Sequence, residues 1–275
     1  MKPTITTLIV SAFATALAGA GDYYSGGKAP LPAKAPVIEE CLDLGGSIVS
    51  GYRTDYIIHG LRTNRDAVWV DVNYQFDSFV PMTFGAYHSS GMNRVFPYGA
   101  IGPIDENAVY IKAALGEIAG FRVDLGYTHR FLDFNGFNVI RGSYGDISVD
   151  IRRDLGFADL VMGSALGLNS RSGYFASGGG EGWVHYAGLE KSFGLCEYAD
   201  LVVSTGVGYH DGYYFSTPAG SSDWSHYYLK AAIPVELNCR TTLTPFIGYQ
   251  GVQQWRVFTR QGDLLHGGVS LNVTF

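Results

Sequence analysis

Leu265-His266-Gly267-Gly268-Val269-Ser270-Leu271-Asn272-Val273-Thr274-Phe275 is the stretch that decides the fold. Val269, Leu271, Val273 and Phe275 fall on one face, and Ser270, Asn272 and Thr274 on the other. That period of two describes a strand with one apolar and one polar side. Many soluble strands read the same way, so the remainder of the chain has to choose the class.

The start of the chain narrows it. Met1-Lys2 is a short basic segment, Thr6 to Leu17 is an uncharged apolar run, and Ala18-Gly19-Ala20 is a small-x-small site. Together they read as a signal peptide over residues 1–20, cut before Gly21. The run is shorter than the about 20 residues a membrane helix needs, which argues against an uncleaved anchor. No Cys follows the cut, so a lipoprotein signal is excluded. Residues 21–40 carry Pro30, Pro32 and Pro36 among Gly, Ala and Lys. Such a composition favours extended chain over sheet pairing and reads as a flexible periplasmic leader.

Beyond residue 20 no apolar run is long enough for a transmembrane helix. Yet apolar residues make up 47% of the chain and charged residues only 16%, against roughly 25% charged in soluble proteins. A transmembrane barrel reconciles these figures, because its strands alternate and its outer face is apolar with aromatic girdles. A net charge of −6 gives no footprint for nucleic acid.

The period-two template predicts twelve strands, near 45–61, 64–76, 81–88, 106–116, 119–131, 146–155, 157–169, 181–193, 198–211, 224–236, 241–251 and 264–275. In the second, Val68, Val70, Val72, Tyr74 and Phe76 alternate with Trp69, Asp71, Asn73 and Gln75. The intervening turns near 77–80, 117–118, 156, 194–197 and 237–240 are short. The opposite connections, near 89–105, 132–145, 170–180, 212–223 and 252–263, are longer. A tight external turn at Arg62-Thr63 is the exception. This rhythm predicts an all-β fold: residues 41–275 as one closed, antiparallel, up-and-down transmembrane barrel with both termini in the periplasm. Ten or fourteen strands would fit if breaks shift by a few residues, and a soluble β-sandwich is the structural runner-up.

The aromatic-ended last strand resembles the closing strand of bacterial outer-membrane barrels, and this implies that Phe275 is read by the barrel-assembly machinery. A second resemblance lies in Thr54-Asp55-Tyr56-Ile57-Ile58-His59-Gly60. It is similar to the opening strand of the porin-like proteins called the TorF group: serine, aspartate, tyrosine, any residue, aromatic or aliphatic, arginine, glycine. Thr54 stands for the serine and His59 for the arginine. The resemblance implies a small outer-membrane channel and no catalytic residues.

Facing the apolar side to lipid turns Arg53, Asp55, Asp71, Lys112, Arg122, Asp124, Arg130, Asp150, Arg152 and Lys230 inward. These are the candidate pore-lining residues. Charges inside a wall persist only when paired or hydrated, so they form either stiffening ladders or a filter that selects by sign. Six bases against four acids is a small cationic excess. Tyr74, Phe76, Phe157, Phe193, Tyr198 and Phe275 are expected in an inner girdle, and Tyr56, Tyr127, Phe131 and Tyr209 in an outer one. Tyr213, Tyr214, Phe215 and Trp224 are loop aromatics able to stack on sugars.

No G-x-S-x-G, H-E-x-x-H or C-x-x-C occurs. His88, His129, Asp133, His210 and Asp211 near the outer rim offer no placed nucleophile and base. No cofactor or metal is expected. Cys41, Cys196 and Cys239 all fall at the periplasmic end, and a Cys196–Cys239 bridge is a candidate if two turns about 10 Å apart lean together. The expected function is an outer-membrane porin-like channel for passive diffusion of small hydrophilic solutes in a Gram-negative bacterium. The alternatives are a plugged barrel working through its outer loops and, third, a rim-sited hydrolase. Expected partners are outer-membrane lipid, the assembly machinery and the solutes.

Overall fold

The computed structural model describes residues 44–93, 104–134, 141–168, 182–211, 222–252 and 262–275. Every regular element among them is a strand: β1 (Gly46–Ile58), β2 (Leu61–Phe76), β3 (Met82–Asn93), β4 (Ile104–Ile118), β5 (Phe121–Phe134), β6 (Arg141–Asp154), β7 (Asp159–Leu168), β8 (Gly182–Cys196), β9 (Ala199–Asp211), β10 (Ser222–Ala232), β11 (Val235–Asn238), β12 (Thr241–Val252) and β13 (Leu264–Thr274). All pairings are antiparallel, and β13 returns to β1. β10 and β11 are halves of one strand, since both lie between β9 and β12. Their break falls at Ile233-Pro234, where the ring removes a ladder donor. Pro234 still accepts from Asp200 N at 3.2 Å, which keeps the halves in one wall. Counted so, the barrel is closed and twelve-stranded.

Closure runs from Ser47↔Thr274 to Arg53↔Gly268. Gly46 and Phe275 exchange both backbone hydrogen bonds, at 3.0 and 2.9 Å. A sheet that closes on itself leaves no strand edge to hydrocarbon.

The register carries side-chain facing around the wall without a break. Arg53 pairs with Ala67, and its face continues through Tyr87, Tyr110, Arg130, Asp150, Tyr186, Tyr228, Phe246 and Gly268 back to Arg53. The other face exposes Val68, Val72, Phe84, Val109, Leu125, Ile147, Leu189, Leu229 and Ile247. Large apolar side chains so exposed on every part of a wall require an apolar surrounding. Aromatics gather at its two ends, the inner being by definition the one that holds Gly46 and Phe275 and the outer the opposite one. Tyr74, Phe76, Phe157, Phe193, Tyr198 and Phe275 are exposed at the inner end, and Tyr127, Phe131, Trp183 and Trp224 at the outer. Trp224 belongs to β10 and packs edge-on against Tyr209 at 5.6 Å, so it is not a loop residue. Tyr213, Tyr214 and Phe215 lie outside the described residues.

Several strands run past their expected ends. β3 continues to Asn93 although Ser89-Ser90-Gly91 lacks apolar residues. Beyond the lipid a strand has no need of them: on the outward face Ser90 Oγ donates to Asp105 at 2.7 Å, and His88 meets Asn107 at 3.0 Å. The first turn also lies elsewhere, at His59-Gly60 and not at Arg62-Thr63. Both residues have positive φ, 46° and 85°, the geometry of a two-residue hairpin turn. Ala119-Gly120 makes the same turn between β4 and β5, with 54° and 80°.

Candidate functional site

The inward face changes character along its length. Toward the inner end Gln75, Lys112, Ala114, Arg122, Asp124, Ser192 and Lys230 are exposed. Toward the outer end Ala67, Ser89, Glu106, Asp146, Val184, His210, His226, Gln250 and Leu264 are buried. The interior is therefore wet on one side and packed on the other. The twelve-stranded wall leaves that room because eight strands already suffice for side chains to fill a bore.

Nine of the ten candidate charges sit on the inward face of the wall, and Asp55 lies on the first hairpin, but they serve different ends. Arg130 Nη1 reaches Glu106 at 2.5 Å and its Nε reaches Asp146 at 3.1 Å, with both acids buried. Arg152 bridges Asp159 at 2.9 Å and Glu190. Asp71 accepts from Tyr110 at 2.8 Å, and Asp150 accepts from Tyr186. Lys112 lies 5.5 Å from the Tyr110 ring and Lys230 4.9 Å from the Phe246 ring. Arg122 and Asp124 are exposed side by side with their counterparts on β6, Arg152 and Asp150.

Glu106, Asp146, Asp159 and Glu190 are the residues that sequence reasoning missed. Each sits at a strand end as drawn from sequence or inside a run with weak alternation, so none marked its own face. Adding them to the ten turns six bases and four acids into six and eight. Near the inner ends Glu117, Asp154 and Asp200 share that face and that sign. Arg62 and Arg65 belong to the first hairpin at the outer end. With the hairpin's Asp55, Arg62 and Arg65 set aside together, the wall residues named are six bases and ten acids, so the small cationic excess read from the sequence is reversed.

The packed half is built around that hairpin. β1 pairs with β13 only as far as Arg53, and β2 pairs with β3 only from Arg65 onward. Residues 54–64 leave the wall between those points and cross the interior. Asp66 makes the bend, at φ 50°; its carboxylate accepts from Tyr52 Oη and Asn93 Nδ2. Behind the bend Arg53 stacks over Tyr56 at 4.0 Å and Trp69 at 5.1 Å, and donates to Tyr87 Oη. Asp55 pairs with Arg62 across the hairpin at 3.4 Å. At the tip His210 Nε2 donates to the His59 carbonyl at 2.9 Å, and Gln250 Nε2 donates to the Gly60 carbonyl. The His226 ring lies between Gly60 of the tip and Gly208 of the wall, where neither position has room for a Cβ. Tyr56 is consequently buried inside and does not belong to the outer girdle.

Cys196 is a free, exposed thiol at the β8–β9 turn, whereas Cys239 is in a disulfide whose partner lies outside the described residues. The candidate Cys196–Cys239 bridge is therefore not formed. Two whole strand spacings separate those turns, more than a disulfide spans.

Two serine–histidine contacts occur near the outer end. Ser164 Oγ lies 2.7 Å from His185 Nδ1 on the outward face, and the imidazole also packs on the Trp183 and Tyr209 rings. Ser225 lies 2.8 Å from His226, but it is buried and donates to the Gly208 carbonyl. Of the rim residues weighed for catalysis, His88 contacts Asn107, His129 contacts Tyr127, His210 holds the hairpin, and Asp211 accepts from Ser222. Asp133 faces away from the interior on β5. Outside the strands, Asp263 accepts from the Tyr249 phenol at 2.7 Å and from Val252 N at 3.1 Å, which holds its carboxyl below the usual range. Among the described residues no group of acids, histidines and cysteines is arranged to hold a metal ion.

No protein-family model and no curated protein matches the chain. Solved structures do. The COG4313 outer membrane channel from Pseudomonas putida F1 is 12% identical, with a TM-score of 0.55 over 88% of this chain and 100% of that one. The KdgM porin is 8% identical, with a TM-score of 0.49 over 83% and 99%. The outer membrane phospholipase A of Escherichia coli is 10% identical, with a TM-score of 0.41 over 83% and 92%. At these identities the likeness concerns the fold, and the chain has the fold of bacterial outer-membrane β-barrels.

Proposed function

We propose that the protein is a narrow outer-membrane channel for passive diffusion of small hydrophilic solutes, with a preference for cations. One observation carries the reading: the inner half of the bore is exposed around Lys112, Arg122, Asp124 and Lys230, and Asp71, Asp150, Asp159, Glu190 and Arg152 line it beside them. Charged side chains lining water select by sign, and the acids outnumber the bases. The likeness of Thr54–Gly60 to the opening strand of the TorF group agrees with a small channel, and in the barrel this segment is the hairpin that crosses the bore.

The buried outer half supports a second reading, a plugged barrel whose outer loops do the work. Planar-bilayer recording of the purified barrel separates the two. A channel gives discrete openings, and in a potassium chloride gradient its reversal potential has the sign of cation preference. Asp124→Asn with Glu190→Gln should move that potential toward anions. A folded, heat-modifiable barrel that stays silent at all voltages favours the plugged reading. For a hydrolase to be preferred, the Ser164–His185 pair would have to release fatty acid from phospholipid micelles, and Ser164→Ala abolish the release.

A further inference from the structure

We infer that the tip of the β1–β2 hairpin is a displaceable gate with a second seat in the barrel wall, next to β13. The inference rests on the channel reading and specifies how that channel is closed.

The closed seat is polar at the tip, while below it Tyr56 and Ile58 pack with Ala67 and Tyr87. The tip is held across the bore by two carbonyls, those of His59 and Gly60, on side chains from β9 and β12. The His226 ring also lies against Gly60.

The second seat is a vacant stretch of edge. β12 pairs with β13 out to Gln250↔Leu264, whereas β1 stops at Arg53↔Gly268. Among the described residues, Leu264 to Gly267 therefore meet a strand on one side only. An unpaired edge at this place is a template for another strand. The Gly267 N–H is satisfied meanwhile by the Thr54 hydroxyl at 3.0 Å, a side chain standing in for backbone. Leu265, beside the gap, is 70% exposed.

Continuing the closing register by four residues would place Thr54 opposite Gly267, Asp55 opposite His266, Tyr56 opposite Leu265 and Ile57 opposite Leu264. Tyr56 would then join the outward face already formed by Ile48, Ser50 and Tyr52, and cover Leu265. Ile58 would follow on the same face. The facing of β1 thus carries on to Ile58, with Tyr56 and Ile58 on the side of Ile48 and Tyr52 and Asp55 on the side of Arg53. One segment has two compatible seats: across the bore, anchored by His210 and Gln250, or along β13. Asp66 supplies the bend between them.

The test is a staple in the wall seat. Tyr56→Cys and Leu265→Cys, in a Cys196→Ser background, put two thiols on directly opposed residues of the continued register. Such neighbours lie within disulfide reach. Oxidation with copper phenanthroline should cross-link them and hold the channel open, with conductance several-fold above the reduced form. Absence of the cross-link in a folded barrel, or a cross-link that leaves conductance unchanged, overturns the second seat. A companion variant joins Thr54 to Asp66 through a short glycine turn and removes the tip. It should conduct continuously. If it conducts only as the wild type does, the gate is refuted and the channel stands. If it folds and is silent, the channel reading falls with the gate. His210→Ala with Gln250→Ala leaves the chain length intact and should raise the frequency of openings; equal frequency in a folded barrel counts against the gate.

Discussion

Arg130 and Arg152 make the same kind of contact in different surroundings, and they should behave differently when cut. Glu106 is 1% exposed, so Arg130→Ala leaves a carboxylate buried without its guanidinium. Breaking a buried pair from one side costs about 3–5 kcal/mol. Arg152, Asp159 and Glu190 are all about a third exposed, in the wet half, and there Arg152→Ala should cost less than about 1 kcal/mol. Urea unfolding in phospholipid vesicles compares them directly, and equal losses would mean that water reaches both sites alike. Nine of the ten charges could be assigned to the inward face from alternation alone. Their partners could not: Glu106 and Asp146 lie in β4 and β6 near outer ends that the sequence draws too short, and which acid meets which arginine depends on register between strands.

At the scale of the element, the seam between β13 and β1 governs assembly. Phe275 and Gly46 exchange two backbone bonds, and the ring fills the space a Cβ on Gly46 would occupy. On the proposal that the assembly machinery handles the closing strand, Phe275→Ala should lower the amount of heat-modifiable barrel in the outer membrane. Gly46→Val should do so too, by displacing the ring. Unchanged yield in both would leave Phe275 as a girdle residue only. The same seam shows where sequence reading stops. Alternation located β1, yet it is blind to whether a strand stays in the wall, because a hairpin bent inward keeps the same period. The bend has its own residue, Asp66, held by Tyr52 and Asn93. Pro234 is a comparable case: proline marks a break, but only pairing on both sides shows that β10 and β11 are one strand.

Taken whole, the molecule has an inner and an outer end, and Cys196 reports which is which. It is the free, exposed thiol at an inner turn. If the termini are periplasmic, an impermeant maleimide should leave it unmodified in intact cells and label it once the outer membrane is permeabilised. Labelling of intact cells would invert the orientation. The bore itself owes its width to a feature of the wall. On the inward face Tyr110 lies over Gly85, Tyr186 over Gly163, Tyr228 over Gly206 and Phe246 over Gly268, each ring in space that a Cβ on the glycine would need. Any larger residue in place of such a glycine would lever its ring upright toward the axis. The calibre of the tube is in this sense written in its smallest residues: changing Gly85 and Gly163 to alanine should stiffen nothing and yet choke the passage, as an iris closes without its rim moving.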